Sequence, residues 1–411
     1  MIPITKSRLS LWASEPSRLA QHQSTKNPPS TADYVIVGSG FSGASLAYHL
    51  SCQHPKAKIV LLEARDACSG ATGRNGGHLV PEYIKHGQFE KRNYDAIYQL
   101  ITEHNIDCWT NEKGERGWLI LKSLKEYQDA NRALEHNDYD LRLYTAQQAA
   151  RKLGLESYND IHGALNIPSS PINPYRLVNW LLERSIAHGV DFYTHSEVID
   201  IDDRTAGKVG VTVKGKGQIT ADKVILATNG FTNLLSIPRL PEIKPVRGQV
   251  VRFEVDEKSL KVPLTNGKVS IGWGDEYLAV VPTKTPGKVS VVLGGLRKTV
   301  PGYEVGQIDD NTVNPEISGK LLQFAKDRFG INAAPVEEWT GIMGFPQTGV
   351  PYVGQIRGYN GGLYIMGGFE GHGMTRIYET ARALSENMET GSWPSWFPEQ
   401  YQYTAHPPSK I

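Results

Sequence analysis

The stretch Tyr34-Val35-Ile36-Val37-Gly38-Ser39-Gly40-Phe41-Ser42-Gly43 decides the fold, because an apolar, β-branched run leads directly into a glycine-rich turn. The apolar run is typical of a buried parallel strand. A helix-compatible stretch, Ala44–Leu50, follows the last glycine, and Ile59–Leu62 is predicted as a second strand that ends at Glu63. Strand, turn, helix and strand form a βαβ unit, which predicts a Rossmann-like α/β domain.

The three glycines of this turn have separate physical roles in such a unit. Gly38 permits the tight turn, Gly40 lets backbone approach a pyrophosphate, and Gly43 lets the helix pack closely on the strand. The helix N-terminus offers N–H groups and a positive dipole end to phosphates. Glu63 can accept hydrogen bonds from ribose hydroxyls and would repel a 2′-phosphate, so FAD or NAD is predicted rather than NADP.

Composition sets bounds on the class of protein. A length of 411 residues is enough for two domains with cores of their own. The 44 Lys and Arg residues balance 43 Asp and Glu residues, so we expect neither a nucleic-acid nor an acidic-membrane partner. No stretch approaches the roughly 18 consecutive apolar residues of a membrane span. The expected assembly is a monomer or a weak homo-oligomer.

Cysteine usage and the chain ends bear on compartment. The three cysteines form no C-x-x-C pair and no metal-ligand spacing, so we expect no metal and a reducing compartment. No apolar segment follows Lys6 and Arg8, which argues against a secretory signal. The end Ser409-Lys410-Ile411 differs from the peroxisomal Ser-Lys-Leu address in its last residue. Localisation is therefore predicted as cytoplasmic or peroxisomal, with a random polar tail as the alternative.

Further along the chain, secondary-structure patterns predict an interrupted nucleotide domain. Residues 1 to about 30 are polar and are expected to wrap the surface, and Ser69–His78 reads as a glycine-rich loop against a ligand. Residues 87 to about 155 have a helical pattern with one strand at Trp118–Leu121, and Pro174 opens an amphipathic helix that stops near Gly189. Strands are predicted at 190–193, 197–201, 209–213, 218–220 and from 223 into the turn Ala227-Thr228-Asn229-Gly230.

The remaining sequence predicts a second domain and a return to the first. Strands at 250–255, 277–281 and 289–293 indicate an antiparallel sheet. The end of the chain then repeats the strand–glycine loop–helix pattern, with a strand at Leu363–Met366, a loop at Gly367–Gly373 and a helix at Met374–Met388. The predicted nucleotide-binding domain is therefore discontinuous, at 1–86, 171–246 and 334–411, and the substrate domain comprises 87–170 and 247–333.

An ordered set of motifs resembles the D-amino-acid oxidase superfamily of FAD-dependent amine oxidoreductases, which includes glycine oxidase, sarcosine oxidase and γ-glutamylputrescine oxidase. The set spans roughly residues 32 to 390 and comprises the first glycine turn, Glu63, Ser69–His78, Ala227–Gly230, Pro245-Val246-Arg247-Gly248-Gln249 and Gly367–Gly373. The resemblance implies an FAD domain of the p-hydroxybenzoate-hydroxylase type. It also implies a second, α+β substrate domain on a mixed or antiparallel sheet.

The resemblance also implies which residues bind FAD. Counterparts of Ser39 and Gly40 contact the pyrophosphate, the counterpart of Glu63 holds the ribose, and that of Val198 pairs with adenine through its backbone. Relatives that attach FAD to cysteine do so near Gly341-Ile342-Met343-Gly344, where this chain has none, so FAD is expected to be non-covalent. The implied cofactor-binding set is Gly38, Ser39, Gly40, Phe41, Ser42, Gly43, Glu63, Ala64, Arg65, Ala71, Thr72, Arg74, Asn75, Gly76, Gly77, His78, Val198, Ala227, Thr228, Gly341, Gly368, Phe369, Gly371, His372, Gly373, Met374 and Thr375.

Four residues are candidates for catalysis: His372, His78, Arg297 and Tyr277. Flavin accepts a hydride from a carbon that bears a neutral nitrogen, and the turn around His372 could stabilise the charge that develops. The alternatives for His78 are a polar neighbour of the ring, a covalent attachment point for it, or a histidine satisfied by backbone. Arg297 would bind a carboxylate or face solvent, and Tyr277 lies on a strand expected to face the ring.

Two other basic positions are open. Arg74 is interpreted as a phosphate or carboxylate ligand, or as a structural salt bridge. Thr375 stands where relatives carry a lysine near the flavin pyrimidine, and Arg376 could replace that lysine.

The predicted activity is oxidation of an amine or amino acid to an imine, with O2 as electron acceptor and release of hydrogen peroxide. The alternatives are a flavin dehydrogenase that passes electrons to a quinone or protein, and a flavin-containing assembly factor without turnover. A monooxygenase is disfavoured because Met366-Gly367-Gly368-Phe369-Glu370 lacks the Gly-Asp motif usual in that class. The sequence leaves the substrate open.

Overall fold

The computed structural model describes residues 10–84, 86–110, 112, 115–136, 140–155, 158–203, 207–260, 268–359 and 362–403. Lys6, Arg8 and the C-terminal Ser409-Lys410-Ile411 lie outside these ranges, so the expectations based on them stay predictions. Within the described ranges, no helix combines the length and the apolar character that crossing a membrane requires. The same residues contain no group of three or more His, Cys, Asp or Glu placed to hold a metal ion.

The described residues form two eight-stranded sheets, a two-stranded sheet and seven α-helices. The helices are α1 (Phe41–Gln53), α2 (Gly87–His104), α3 (Leu124–His136), α4 (Ala146–Leu153), α5 (Pro174–Ala187), α6 (Pro315–Phe329) and α7 (Ile377–Thr390). The strands are β1 (Thr31–Val37), β2 (Ile59–Leu62), β3 (His78–Leu79), β4 (Arg116–Leu121), β5 (Arg142–Thr145), β6 (Gly163–Pro168), β7 (Ser170–Pro171), β8 (Asp191–Tyr193), β9 (Val198–Asp203), β10 (Val209–Val213), β11 (Gly217–Leu226), β12 (Ile243–Asp256), β13 (Val269–Trp273), β14 (Glu276–Pro282), β15 (Lys288–Gly294), β16 (Glu337–Pro346), β17 (Tyr352–Gln355) and β18 (Gly362–Gly367).

The first large sheet confirms the Rossmann-like prediction. Its central order is β17-β18-β11-β1-β2-β8, and β10 and β9 extend from β11 as antiparallel partners. Strand β1 runs parallel to both β2 and β11, and β11 runs parallel to β18. The carboxyl ends of parallel strands meet at one edge, so the residues after β1, β2 and β11 come together there.

The second large sheet has the order β16-β12-β15-β14-β13-β4-β6-β5, and its neighbours are antiparallel except for β4 and β13. Alternate residues of β12 face two different cores. Val251 and Phe253 pack with α6 residues such as Leu321, whereas Val250 packs with the core of the first sheet. The alternation is the period of two expected of a strand that is buried on both faces. It also turns one face of this sheet toward the first sheet.

Several elements differ from the sequence prediction. Strands β5 and β6 lie at 142–145 and 163–168, close to or within a region predicted to be helical. Strand β11 is one ten-residue strand where two were predicted. The last helix begins at Ile377 rather than Met374, because Gly373–Thr375 form a 3-10 turn. The segments at 142–145 and 163–168 form strands because they pair with other strands, and the local sequence pattern does not reveal such pairing.

The predicted domain ranges stay a prediction, although two segments lie across them. Strand β16 pairs along its whole length with β12 of the second sheet, yet residues 334–411 were assigned to the nucleotide domain. Helix α2, which was assigned to the substrate domain, buries Ile97 and Tyr98 in the core that contains β1 and α1. The Nδ2 of Asn93 on α2 also donates to the carbonyl of Met374 at 3.2 Å.

Candidate active site

A cavity of about 960 Å³ lies where the carboxyl edge of the first sheet meets the second sheet. It extends from Ser196–Ile199 and Glu63, past the first glycine turn, to the face of the second sheet at Gln249 and Tyr277. Most of the predicted cofactor residues and all four catalytic candidates line it. The predicted residues that do not line it are Ser39, Gly43, Gly77 and Gly368.

The first glycine turn packs too closely for side chains at two of its positions. A Cβ placed on Gly38 would lie 2.7 Å from the carbonyl oxygen of Ala227, and the φ of Gly38 is +106°. A Cβ on Gly43 would lie 2.9 Å from the carbonyl carbon of Gly38 and closer still to its oxygen. Backbone atoms cannot move aside as a flexible side chain can, so these two glycines are required by packing.

Ser39 links the first glycine turn to Glu63. It is completely buried, and its N–H and hydroxyl both donate to Glu63 Oε2, at 3.0 and 2.8 Å. The N–H of Arg65 donates to Glu63 Oε1 at 3.0 Å. The Ser39 hydroxyl therefore orients Glu63, whose carboxylate lines the cavity, and the implied pyrophosphate contact of Ser39 stays a prediction.

Arg74 lines the cavity and makes the structural salt bridge that was one of its two interpretations; its contact with a ligand stays a prediction. Its Nε donates to the carbonyl of Ser69 at 2.8 Å, and its Nη1 donates to the carbonyls of Asp310 and Thr340 at 2.6 and 2.9 Å. The Asp310 carboxylate lies 3.4 Å from Arg74 Nε and accepts two hydrogen bonds from Arg65 Nη1, at 2.8 and 3.0 Å. Burial lowers the pKa of Arg74, and Asp310 opposes this shift.

The loop Ser69–His78 is held in place by residues that the sequence analysis missed. Successive carbonyls of Gly73, Arg74 and Asn75 accept hydrogen bonds from Ser10 Oγ, Trp339 Nε1 and Trp12 Nε1. Trp12 is 2% exposed, so the expectation that residues 1–30 only wrap the surface is wrong at this point. No local signal marks Trp12, because its partners lie more than sixty positions away in the sequence.

His78 and Tyr277 form the wall next to this loop. Their rings meet edge to face, with centroids 5.1 Å apart. Burial lowers the pKa of His78 to about 3, so its imidazole is neutral near pH 7, and its Nε2 is a buried atom without a hydrogen-bond partner among the described residues. Burial also raises the pKa of Tyr277, so the phenol keeps its proton. This wall therefore carries no charge.

The wall that carries charged groups contains Arg297 and Glu370, and sequence analysis missed the second. The Arg297 guanidinium lies 4.9 Å over the ring of Phe345. Glu370 has a left-handed backbone, with a φ of 51°, and its N–H donates to the carbonyl of Gly344 at 3.0 Å. Burial raises the pKa of the Glu370 carboxyl, and Arg376 and Arg297 oppose this shift. The sequence signal that could have identified Glu370 is an acidic residue between Gly368 and Gly371, in a loop predicted to face the ligand.

The turn after Glu370 carries His372 at the cavity surface. The His372 N–H donates to the carbonyl of Phe369 at 2.8 Å, and its own carbonyl accepts from Thr375 Oγ1 at 3.1 Å. That N–H is thus engaged within the turn and is not directed at a ligand. Arg376 is 2% exposed and its Nε donates to Glu90 at 2.7 Å, so the suggestion that Arg376 replaces a lysine near the flavin is wrong.

The residues present fit FAD. The cavity has room for a dinucleotide with an extended ring system, its glycine turn admits backbone close to phosphate, and Glu63 is oriented for a ribose. The unpaired Nε2 of His78 lies where the resemblance implies the flavin ring. Within the described residues no cysteine lines the cavity, since Cys68 and Cys108 are buried elsewhere and Cys52 is exposed on α1; non-covalent binding of FAD stays a prediction.

Comparisons with known proteins agree with this site. A family model described as DAO, FAD dependent oxidoreductase, matches residues 33–387. The chain is 24% identical to gamma-glutamylputrescine oxidoreductase of Escherichia coli K12 over 401 residues, which covers 93% of the chain and 89% of that protein. It is 23% identical to sarcosine oxidase subunit beta of Rhizobium meliloti over 339 residues, with coverage of 80% and 77%.

Two solved structures have the same fold. Glycine oxidase from Geobacillus kaustophilus superposes with a TM-score of 0.73 at 20% identity and covers 92% of this chain and 100% of its own. L-proline dehydrogenase from P. horikoshii gives the same TM-score and identity, with coverage of 91% and 97%.

Proposed function

Because this chain belongs to the DAO family of FAD dependent oxidoreductases, we propose that it oxidises the carbon–nitrogen bond of an amine or amino acid to an imine. When bound, FAD supplies the acceptor for a hydride from the carbon next to nitrogen. We further propose that O2 takes the electrons and leaves as hydrogen peroxide. The names of several relatives, which refer to an amine, to amino acids or to sarcosine, support the substrate class.

The observation that carries the proposal is the course of the cavity. It runs without interruption from the glycine turn and Glu63, past His78, to a chamber at Tyr277, Arg297 and Glu370. A nucleotide held at the first end would place its reactive ring near the chamber, because the Ser69–His78 loop lines the path between them. A substrate in the chamber would then lie against the ring.

The residues of the chamber favour a neutral reacting amine. His78 is neutral near pH 7 and Tyr277 remains protonated, so this wall offers no charge that would stabilise an ammonium ion. Hydride loss needs the nitrogen lone pair, and an uncharged wall disfavours the protonated form of an amine that lies against it. The charged side chains, Arg297 and Glu370, lie on another part of the chamber wall and can orient the substrate.

The partners proposed are a small amine and O2, with no nucleic acid or membrane, and a chain that is a monomer or weak homo-oligomer.

Spectroscopy of the purified protein tests the proposal. The protein should be yellow, release FAD on denaturation, and lose its 450 nm absorbance anaerobically with some members of a panel of amines and amino acids. Air should then restore the colour with one equivalent of hydrogen peroxide. Bleaching that is reversed by a quinone but not by air would support the dehydrogenase alternative, whereas a stable yellow colour with every amine would contradict oxidation of C–N bonds.

A further inference from the structure

Two side chains of opposite charge line the substrate chamber without a counter-ion. Glu370 makes no hydrogen bond and no ion pair through its carboxylate with any residue in the described ranges. Arg297 has no carboxylate within the 4.0 Å ion-pair distance among the same residues, and its one hydrogen bond is a 3.4 Å contact from Nη1 to the carbonyl of Tyr303. Both side chains are only half-buried, so each is open to a ligand.

The other acidic residues of the cavity wall differ from Glu370, because each already has a partner. Glu63 accepts hydrogen bonds from Ser39, Glu126 accepts them from the N–H groups of Lys122 and Ser123, and Glu82 lies 4.0 Å from Arg376. The remaining four form ion pairs with lysines: Asp129 with Lys125, Glu197 with Lys214, Asp275 with Lys298, and Glu276 with Lys122. Among the described acidic residues of this wall, Glu370 is therefore the one whose carboxylate has no protein partner and is available to a substrate.

The other basic residues of the wall are similarly engaged. Arg65 and Arg74 share Asp310, and Lys298 pairs with Asp275 at 2.8 Å. Arg297 is oriented instead by the ring of Phe345, over which its guanidinium lies. A guanidinium fixed by stacking keeps its N–H fork available for a carboxylate.

Arg297 and Glu370 are near each other without forming a bridge. Against the effect of burial, the charges of Arg376 and then Arg297 lower the pKa of the Glu370 carboxyl, yet no ion pair within 4.0 Å joins Glu370 to either arginine among the described residues. The backbone of Glu370 is held by Gly344 and that of Arg297 follows β15. A partly buried charge without a partner is costly, and a ligand with both charges would satisfy the two together.

We propose that the substrate is a zwitterion whose carboxylate binds Arg297 and whose ammonium group binds Glu370. Glu370 is then a specificity-determining residue that favours amino acids over both simple amines and simple carboxylic acids. The ammonium group is either a second amine on a longer amino acid or the reacting amine, which then passes its proton to the Glu370 carboxylate and is neutral when the hydride leaves. This inference rests on the proposed function for its chemistry, but its binding test does not require turnover.

The test uses FAD-loaded protein and matched ligand trios of one shape and three charges. The short trio is proline, pyrrolidine and cyclopentanecarboxylate, and the long trio is 6-aminohexanoate, hexylamine and hexanoate. Dissociation constants come from perturbation of the flavin spectrum under anaerobic conditions or, where bleaching occurs, from the concentration dependence of its rate. In at least one trio the zwitterion should bind more tightly than both singly charged ligands, and the trio identifies the spacing of the charges.

Glu370→Gln, which keeps the shape and removes the charge, should have opposite effects on two ligands. It should raise the dissociation constant of the zwitterion by about tenfold to a hundredfold, the effect of losing a hydrogen bond between charged groups. It should lower the dissociation constant of the carboxylate ligand, because Glu370 repels that ligand in the wild type. Arg297→Gln should weaken the binding of the zwitterion and of the carboxylate ligand, but not the binding of the amine. Glu276→Gln removes a wall charge that is already paired with Lys122, so its shifts should be smaller than those of Glu370→Gln.

The inference is overturned if no zwitterion outperforms its singly charged counterparts, or if Glu370→Gln weakens zwitterion and carboxylate alike, as general damage to the chamber would. Simple amines that bleach the wild type equally well would leave the proposed oxidation standing and remove only this inference. Tight binding of a zwitterion without bleaching by any amine would support this inference and contradict the proposed oxidation.

Discussion

Gly76→Ala should force Tyr277 out of its position, because the two residues are in direct contact across the cavity wall. A Cβ on Gly76 would lie 2.8 Å from Cδ2 and 2.9 Å from Cζ of the Tyr277 ring, and closer still to Cε2. Carbon atoms pack at about 3.5 to 4.0 Å, so the ring must withdraw by more than about an ångström. Gly294 blocks the retreat, since a Cβ there would be 2.7 Å from Cε2 of the same ring.

The expected cost of Gly76→Ala is about 1 to 3 kcal/mol of unfolding free energy, the range for an overpacked site. Urea unfolding followed by tryptophan fluorescence measures this cost, and the flavin spectrum and KM report the chamber. Gly319→Ala is the matched control, because a Cβ at Gly319 of α6 meets nothing within 4 Å. That change should stabilise the protein by about 0.5 to 1 kcal/mol, as helix propensity predicts.

A double-mutant cycle assigns the cost to the Tyr277 contact. Tyr277→Ala removes the ring, so Gly76→Ala should cost much less in that background than in the wild type. If Gly76→Ala is as stable as the wild type, or if its cost is the same with and without the Tyr277 ring, the reasoning from ring contact is refuted.

Two further predictions concern buried charge and pH. Asp310→Asn leaves the guanidinium groups of Arg65 and Arg74 buried without their carboxylate, so urea unfolding should show a loss of about 3 to 5 kcal/mol of unfolding free energy. The control is Glu183→Gln, which removes the exposed partner of Arg18 and should cost less than about 1 kcal/mol. Equal losses in the two variants would contradict this prediction. The folded-state pKa of His78 is about 3, below its ordinary value of 6.5, so the unfolded chain binds a proton there first and stability falls as pH drops from about 6.5 towards 3. Relative to His78→Gln, the wild type should therefore lose unfolding free energy across this window, and parallel pH curves would show that His78 is not held neutral by folding.

The parts of the fold that were predictable are those with a local signal. The βαβ unit follows from a strand-length apolar run, glycines at fixed spacing and an acid after β2, all within residues 31–63. The same local patterns predicted the β10–β11 hairpin and the closing strand–loop–helix. Strands β5 and β6 lacked such a signal, because their stability comes from pairing with each other and with β4.

The site was predictable at the level of segments and less so at the level of side chains. Glycine-rich loops identify themselves, because dense glycine is incompatible with regular structure and permits close approach of backbone to a ligand. The role of each polar residue in those loops depends on partners far along the chain. Ser39 pairs with Glu63, Arg74 with Asp310, and Arg376 with Glu90, and none of these pairings could be predicted from the local sequence.

By itself, the sequence determined the family fold, the dinucleotide end of the cavity and the absence of a cysteine near the flavin segment, because these depend on residue type and spacing over short distances. Only the tertiary structure decided which charged side chains pair with other residues of the protein and which remain available to a ligand. Hydrogen bonds between residues hundreds of positions apart satisfy Arg74 and Arg376 and leave Arg297 and Glu370 open to the chamber. The strength of a charge as a binding group depends on its neighbours in space, and folding alone sets those neighbours.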